Sequence, residues 1–297
     1  MSTDPLLRLS GVSKYYGKHC ALENITFDVH AGQVVGLMGH NGAGKSTCLK
    51  ASLGLIQAGG SIELLGLEPL KNRSKLLESV AYISDISVLP DWATTNQLMA
   101  YMNAIHPSFD EDRLIRMLKL SNVPLNNRIK TFSKGMVTQL YLALILSIDC
   151  RLLVLDEPTL GLDVLMKSRF YQYLTNHYDL NTGGIIISSH QVEELEDFLT
   201  HVVILQDGHI ILKADIDTLF KRFKQVKIQQ DTYSDVKKQC PSAIIVQYHP
   251  KGRCSIILDS DDESTYAAFG QLSQPKLRDI FIYLIKQNGQ TDTGALI

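Results

Sequence analysis

The chain alternates between short runs of branched apolar residues and longer stretches with helical spacing. Residues 152–155 and 185–187 are continuously apolar, which is typical of parallel strands covered on both faces. Residues 34–38 have the same character and lead into a glycine-rich turn, after which the spacing predicts a helix over residues 45–55. This alternation predicts an α/β core.

The pattern becomes helical between Pro90 and Asp149, with breaks at Pro107 and Pro124. We therefore expect a helical subdomain at about residues 90–149, inserted in the α/β body.

A β-hairpin is predicted further along the chain, with strands at residues 202–206 and 210–213 around an Asp-Gly turn. From about residue 214 the chain is more polar and carries short strands of its own. The sequence thus predicts a main domain over residues 1–213 and a small C-terminal α+β extension over residues 214–297. For the extension we favour a packing or dimer-supporting module over a ligand-sensing domain.

Composition narrows the class of protein. A net charge of -2 argues against broad nucleic-acid binding, so no nucleic-acid partner is expected. No apolar stretch reaches the roughly 18 residues of a membrane span. The first residues lack a signal-peptide pattern, and five cysteines in an unpaired arrangement suit reduced thiols, so we expect a cytoplasmic protein.

A phosphate-binding pattern, G-x-x-x-x-G-K-[ST], occupies residues 39–46. Its glycines let successive backbone N–H groups curve around a phosphate, and the next helix presents its positive end to the same anion. Lys45 is expected to reach the β- and γ-phosphates, and the Ser46 hydroxyl to ligate Mg²⁺. Because a predicted strand precedes the pattern and a predicted helix follows it, we favour nucleoside triphosphate binding over a chance lysine in a glycine turn. The predicted nucleotide-binding residues here are Asn41, Gly42, Gly44, Lys45, Ser46 and Thr47.

Two adjacent acids end the apolar strand at residues 152–155. Asp156 is placed to hold Mg²⁺, and Glu157 to face the γ-phosphate and polarise the attacking water. A solvated acidic loop is the alternative, which a phosphate-binding loop in the same chain makes the weaker interpretation.

These motifs and four others, in order and at familiar spacing, make residues 6–213 resemble the ABC ATPase family. Phe132-Ser133-Lys134-Gly135-Met136 stands at the position of the family's Leu-Ser-Gly-Gly-Gln signature. Gly161-Leu162-Asp163 is similar to its D-loop, His190 to its switch histidine, and Tyr16 to its adenine-stacking aromatic.

The resemblance implies a fold, roles and partners. The fold is a P-loop core with an antiparallel β subdomain and a helical subdomain. Tyr16 would stack on adenine, Glu157 would be the general base, and His190 would contact the γ-phosphate. Ser133 and Gly135 would complete the ATP site of a second ABC ATPase, in a homodimer or heterodimer. For Tyr16 ordinary packing is the alternative, and for His190 an ordinary loop histidine.

Two positions depart from the family pattern. Asp85 stands where the family usually has the glutamine of its Q-loop, after a predicted strand, and we place it near the metal. In the signature, Lys134 replaces a glycine and Met136 a glutamine. Lys134 would either add positive charge near the opposing γ-phosphate or be solvated.

The sequence thus predicts an ATP-hydrolysing, Mg²⁺-dependent subunit that powers a separately encoded membrane permease. It would sit on the inner face of the membrane through that permease. Export is the preferred direction, because the form of the signature and the C-terminal helix at residues 277–281 resemble those of bacterial drug- and peptide-export ATPases. One alternative is a regulatory ABC ATPase with little turnover. Another is an ABC protein of translation or DNA repair, but the single P-loop argues against the translation type and the lack of a heptad run argues against the repair type.

Overall fold

The computed structural model describes residues 4–84, 89–119, 121, 123–259 and 269–288. Three sheets organise the molecule, and nine α-helices and three short 3₁₀ helices connect and cover their strands in the described part of the chain. The strands are β1 Leu7–Tyr16, β2 His19–Val29, β3 Val34–Met38, β4 Gly59–Leu64, β5 Val80–Ile83, β6 Leu152–Asp156, β7 Gly184–Ser189, β8 His201–Gln206, β9 His209–Asp215, β10 Phe223–Gln229, β11 Ile244–His249, β12 Arg253–Asp259 and β13 Leu272–Ser273. The helices are α1 Lys45–Ser52, α2 Arg73–Leu76, α3 Thr95–Ile105, α4 Glu111–Lys119, α5 Lys134–Leu146, α6 Val164–His177, α7 Ile216–Arg222, α8 Tyr233–Gln239 and α9 Leu277–Gln287, with 3₁₀ helices at Ile129–Thr131, Val192–Glu194 and Gln230–Thr232.

The central sheet has six strands in the order β5-β6-β7-β3-β8-β9. Its first five strands are parallel, and β9 pairs antiparallel with β8. Every residue of β3, β6 and β7 is buried, as their continuous apolar runs require. The predicted α/β core is confirmed.

A three-stranded antiparallel sheet, β2-β1-β4, lies against the central sheet. Leu7 and Phe27 of this sheet share one apolar cluster with Val35 and Val203 of the central sheet. It is the expected antiparallel subdomain. The β1–β2 hairpin ends by pairing Tyr16 with His19, which brings both side chains to one end of the sheet.

The helical region holds α3, α4 and α5 around an apolar cluster that includes Leu98, Leu114 and Leu140. Helix α3 begins with a capping box, in which the Thr94 hydroxyl accepts the Gln97 N–H and the Gln97 side chain accepts the Thr94 N–H. Among the described residues, no helix is long and apolar enough to cross a membrane.

Helix α1 is shorter than the predicted span of residues 45–55, because it ends at Ser52. Gly54 has a left-handed φ of 64° and its N–H donates to the Ala51 carbonyl, while the Leu55 N–H donates to the Lys50 carbonyl. This pair of bonds is a Schellman motif, which terminates the helix.

The C-terminal region forms a third sheet, β11-β12-β10-β13, with α8 and α9. Helix α9 joins this region to the main core, because Leu277, Ile280 and Tyr283 belong to the same apolar cluster as Leu195 and Ile187, while the third sheet and α8 also form an apolar cluster of their own. The central sheet also runs two residues beyond the expected boundary at 213, since β9 ends at Asp215. The domain boundary between residues 213 and 214 therefore stays a prediction, and apolar residues from both sides of it pack in one cluster.

Candidate functional site

The candidate site lies at the carboxyl ends of three neighbouring strands. In the order β6-β7-β3, the ends of these strands and the segments that follow them carry the two acids, His190 and the phosphate-binding loop. The ends of parallel strands meet at one edge of a sheet, where open α/β sheets bind ligands. Residues distant in sequence are therefore adjacent here.

The phosphate-binding loop depends on a glycine at its last turn. Gly44 has a φ of 104°, and a Cβ there would lie 2.6 Å from the Ala21 carbonyl oxygen, so a side chain is excluded on both grounds. Gly44 is also the N-cap of α1 and supplies no capping side chain. The first N–H groups of α1 consequently face the site, where an anion can accept from them.

Lys45 is the buried cation of this loop, with 6% of its surface exposed. Its Nζ donates to the carbonyl oxygens of Gly39 at 2.8 Å and His40 at 3.3 Å. The same Nζ lies 3.5 Å from Glu157 Oε1. These contacts fix the ammonium group between the loop and the second acid.

Asp156 joins the loop to β7 through two hydroxyl groups. Its Oδ1 accepts a hydrogen bond from Ser46 Oγ at 3.0 Å and another from Ser188 Oγ at 2.6 Å. A buried carboxylate beside a hydroxyl suits Mg²⁺, which takes one or two carboxylates, waters and substrate phosphates. No group of three or more histidine, cysteine or acidic side chains that could hold a metal occurs in the described ranges. Asp85, the third expected ligand, lies outside the described residues.

Glu157 has an unusual backbone conformation. Its φ is 48°, which is uncommon for a bulky residue, and its N–H donates to Ser188 Oγ at 3.0 Å. Its Oε2 lies 2.8 Å from His190 Nδ1, so the carboxylate is held between Lys45 and His190. An ionised carboxylate only accepts, so Nδ1 is the donor in this contact and Nε2 stays available to another group.

A cavity of about 530 Å³ joins these side chains to the end of the β1–β2 hairpin. It brings together nine residues that the sequence predicts for the nucleotide or for catalysis. Three more, His19, Ala21 and Leu160, are not predicted. His19 was detectable in principle, since a two-residue turn after Tyr16 places it opposite that ring. The predicted residues that line the cavity are Tyr16, Asn41, Gly42, Gly44, Lys45, Ser46, Thr47, Glu157 and His190.

Tyr16 is half exposed, as a ring that stacks on a ligand must be. Lys14 Nζ lies 5.0 Å from its ring centroid and donates to the Gln57 carbonyl oxygen at 2.7 Å. This cation–π contact steadies the ring from outside the cavity.

The signature residues do not line the cavity of their own chain. Ser133 is the N-cap of α5, where its Oγ accepts the Met136 N–H at 3.2 Å. Ser133 and Lys134 are exposed, and Gly135 is partly exposed. These residues therefore form a separate surface at the start of α5.

Known proteins resemble this chain along most of its length. The sequence profile of a family described as ABC transporter matches residues 22–160. The lantibiotic transport ATP-binding protein SrtF of Streptococcus pyogenes is 30% identical over 218 residues, which are 71% of this chain and 92% of that protein. The chain belongs to the ABC transporter ATP-binding family.

Two further proteins are similar to this chain, one of them over almost its whole length. The bacitracin transport ATP-binding protein BcrA of Bacillus licheniformis is 27% identical over 286 residues, covering 95% of this chain and 90% of that protein. The solved ATP-binding subunit of an ABC transporter matches with a TM-score of 0.67 and 29% identity, over 72% of this chain and 91% of its own.

Another solved structure is similar to this ABC ATPase in its fold only. A dimeric cassette in a post-hydrolysis state with ADP and Pi has a TM-score of 0.62 at 18% identity, over 71% of this chain and 98% of its own. The chain is thus an ATP-binding subunit of the ABC transporter class, and the family's activity is ATP hydrolysis.

Proposed function

We propose that this subunit drives a separate membrane permease by ATP hydrolysis with Glu157 as the general base. The observation that supports the proposal is the position of Glu157, whose two carboxylate oxygens face Lys45 and His190 at the rim of the nucleotide cavity. A base in that position can take the proton of a water that attacks the γ-phosphate.

The residues divide the work of the reaction. The N–H groups of residues 42–47 and the Lys45 ammonium bind the phosphates, and Tyr16 binds the adenine. Mg²⁺, held by Ser46 and Asp156, would neutralise charge on the β- and γ-phosphates. Glu157 polarises the water, and His190 contacts the γ-phosphate while its Nδ1 keeps the Glu157 carboxylate oriented. Positioning and charge stabilisation supply most of the catalysis in such transfers.

A second ATPase subunit completes the site in this proposal. Leu160, which lines the cavity, is 57% exposed, and Val164 and Leu165 at the start of α6 are 85% and 61% exposed. Adjacent exposed apolar groups of this kind mark an interaction surface. A partner subunit that presents Ser133 and Gly135 to the bound γ-phosphate would cover them.

The permease would dock on a different surface, at helix α3. Tyr101 and Ile105 lie one turn apart on one side of this helix and are 59% and 55% exposed. Leu77 is 55% exposed and lies near the end of the same helix, since its carbonyl oxygen is 3.0 Å from Nε2 of His106, the C-cap residue of α3. The names of SrtF and BcrA describe transport of a lantibiotic and of bacitracin by those proteins, and they favour transport of peptide-like compounds here, for which export remains the proposed direction. The subunit would then lie at the cytoplasmic face of the membrane.

The test uses Glu157→Gln, which keeps the size of the side chain and removes the base. We expect ATP hydrolysis to fall by roughly a hundredfold or more while ATP binding persists. Bound ATP should then hold two subunits together, so the variant should be a monomer without nucleotide and a dimer with Mg-ATP by light scattering. ADP, which lacks the bridging phosphate, should not support the dimer.

Two further variants locate the interface. Ser133→Arg in the Glu157→Gln background should abolish the dimer without loss of ATP binding. Ser10→Arg, at an exposed serine of β1, should leave it intact. Hydrolysis by Glu157→Gln at the parental rate would remove Glu157 from the base role, and negligible turnover by the parent chain would favour the regulatory alternative.

A further inference from the structure

The segment that follows His190 lies between two helices, one of which belongs to the C-terminal region. It begins with the 3₁₀ helix Val192–Glu194 and continues to Thr200, where the chain enters β8. Val192 and Leu195 are buried in one apolar cluster with Leu277 and Ile280 of α9. Helix α9 therefore packs directly on the segment that carries the switch histidine.

Two carboxylates of this segment bind the start of α9. The Leu277 N–H donates to Glu196 Oε2 at 2.9 Å, and Arg278 Nε lies 3.1 Å from Glu193 Oε1. The N-cap residue Lys276 makes no side-chain capping bond, so Glu196 supplies from another part of the chain the acceptor that a helix start requires. Its negative charge also matches the positive end of the helix.

The intervening acid faces the opposite way. Glu194 Oε1 lies 2.5 Å from Lys167 Nζ on α6, and Glu194 Oε2 accepts a hydrogen bond from Thr159 Oγ1 at 3.4 Å. Lys167 Nζ also donates to Gln191 Oε1 at 2.9 Å. Thr159 lies two residues after Glu157, so the segment is tied to the catalytic loop on one side and to α9 on the other.

We infer that α9 positions His190, and through it the Glu157 carboxylate, by the contacts of Glu196 and Glu193. The C-terminal region thereby sets the rate of hydrolysis, and Glu196 is a positioning residue for the reaction. The inference rests on the roles proposed above for Glu157 and His190. Its physical basis is the short connection, because only five residues separate His190 from Glu196 and both flanks of that stretch are held.

The effect on rate follows from the 2.8 Å contact between His190 Nδ1 and Glu157 Oε2. A shift of the ring by about 1 Å breaks this bond, and such misplacement can cost on the order of a hundredfold in rate. Release of one anchor among several shifts the segment less, so we expect Glu196→Ala to lower kcat by roughly threefold to thirtyfold. ATP affinity should change less than kcat, by at most about threefold, because the phosphate-binding loop, Lys45 and Tyr16 keep their places and only His190 is displaced.

The test is a double-mutant cycle in the full chain. Glu196→Ala and Glu196→Gln are compared with Asp197→Ala, which removes an exposed carboxylate one residue further along the same segment. Glu196→Gln keeps an oxygen acceptor for the Leu277 N–H and should recover most of the parental kcat, and Asp197→Ala should match the parent. In a His190→Ala background, Glu196→Ala should cause no further loss.

The outcomes separate this inference from the proposed function. An equal loss from Glu196→Ala with and without His190 would show a general structural effect and overturn the inference. Parental hydrolysis by His190→Ala alone would instead count against the proposed function. If Glu196→Ala folds poorly, Arg278→Glu provides a second route: it should lower kcat, and Arg278→Glu with Glu193→Arg should restore it. Failure of that exchange to restore kcat would also overturn the inference.

Discussion

Ser188 is a buried hydroxyl group with two functions, and its removal tests how the catalytic loop is held. Its Oγ donates to Asp156 Oδ1 at 2.6 Å and accepts the Glu157 N–H at 3.0 Å, with no exposed surface. Ser188→Ala removes both bonds and adds no bulk. The Glu157 N–H then loses its acceptor inside the protein, while Asp156 keeps the Ser46 hydroxyl.

The free energy of unfolding should fall by about 3 kcal/mol, because the hydrogen bond to the Asp156 carboxylate is lost and the Glu157 N–H is left without its acceptor. For a chain of 297 residues this corresponds to a fall of about 5 °C in Tm. The rate should fall by roughly tenfold as well, because the left-handed backbone at Glu157 loses the bond that supports it.

Calorimetry of the purified protein measures Tm, and phosphate release measures kcat. Ser147→Ala is the matched control: this serine is also fully buried, but its Oγ donates to the Ala143 carbonyl oxygen at 2.7 Å at the end of α5, away from both acids. It should lower Tm by about 2 °C and leave kcat near the parental value. A Ser188→Ala protein that melts like the Ser147→Ala protein and turns over like the parent would refute this account of the loop.

Three further predictions concern the nucleotide, the permease and alkaline pH. Tyr16→Ala should raise the Kd of ATP by about tenfold and leave kcat unchanged, since stacking is worth about 1–3 kcal/mol in ground and transition states alike. Tyr15→Ala, on the opposite face of β1, is the control, and a loss of kcat with unchanged Kd would exclude stacking by Tyr16. Ile105→Glu should leave basal hydrolysis unchanged and abolish copurification with a multi-span membrane protein, whereas retained copurification would move the docking surface elsewhere. Burial raises the pKa of the Cys48 thiol from 9.0 to about 12, so the unfolded chain binds fewer protons between these values and stability falls as pH rises through them. Above pH 9 this thiol should lower the free energy of unfolding by about 1.4 kcal/mol per pH unit. Urea titrations between about pH 8 and about pH 10.5 should therefore show a shallower fall of that free energy with pH for Cys48→Ala, and equal slopes for variant and parent would contradict the burial argument.

The sequence predicts the phosphate-binding half of the site well because its groups are contiguous. The loop, its glycines and the Lys45 ammonium follow one another along the chain, and backbone geometry alone brings them together. Asp156 and Glu157 are predictable for a related reason, as they end an apolar strand in a recognisable order.

Ser188 and Leu160 escape prediction because their roles arise only from strand order. Nothing local distinguishes Ser188 from other serines until β7 is placed between β3 and β6, beside Asp156. Glu193 and Glu196 have the same difficulty, since a run of acids after a strand resembles a solvated face. Their partners, Arg278 and the Leu277 N–H, are more than 80 residues away in the sequence.

The continuity of the core across residue 214 affects how this protein can be divided and recombined. Leu277 and Tyr283 fill space between residues of the ATPase body, so a cut before the C-terminal region would leave buried leucines and isoleucines facing water. A chimera with the C-terminal region of a relative would have to carry matching residues at both Leu195 and Ile280. In this chain the two parts therefore have to be changed together at the positions where they face each other.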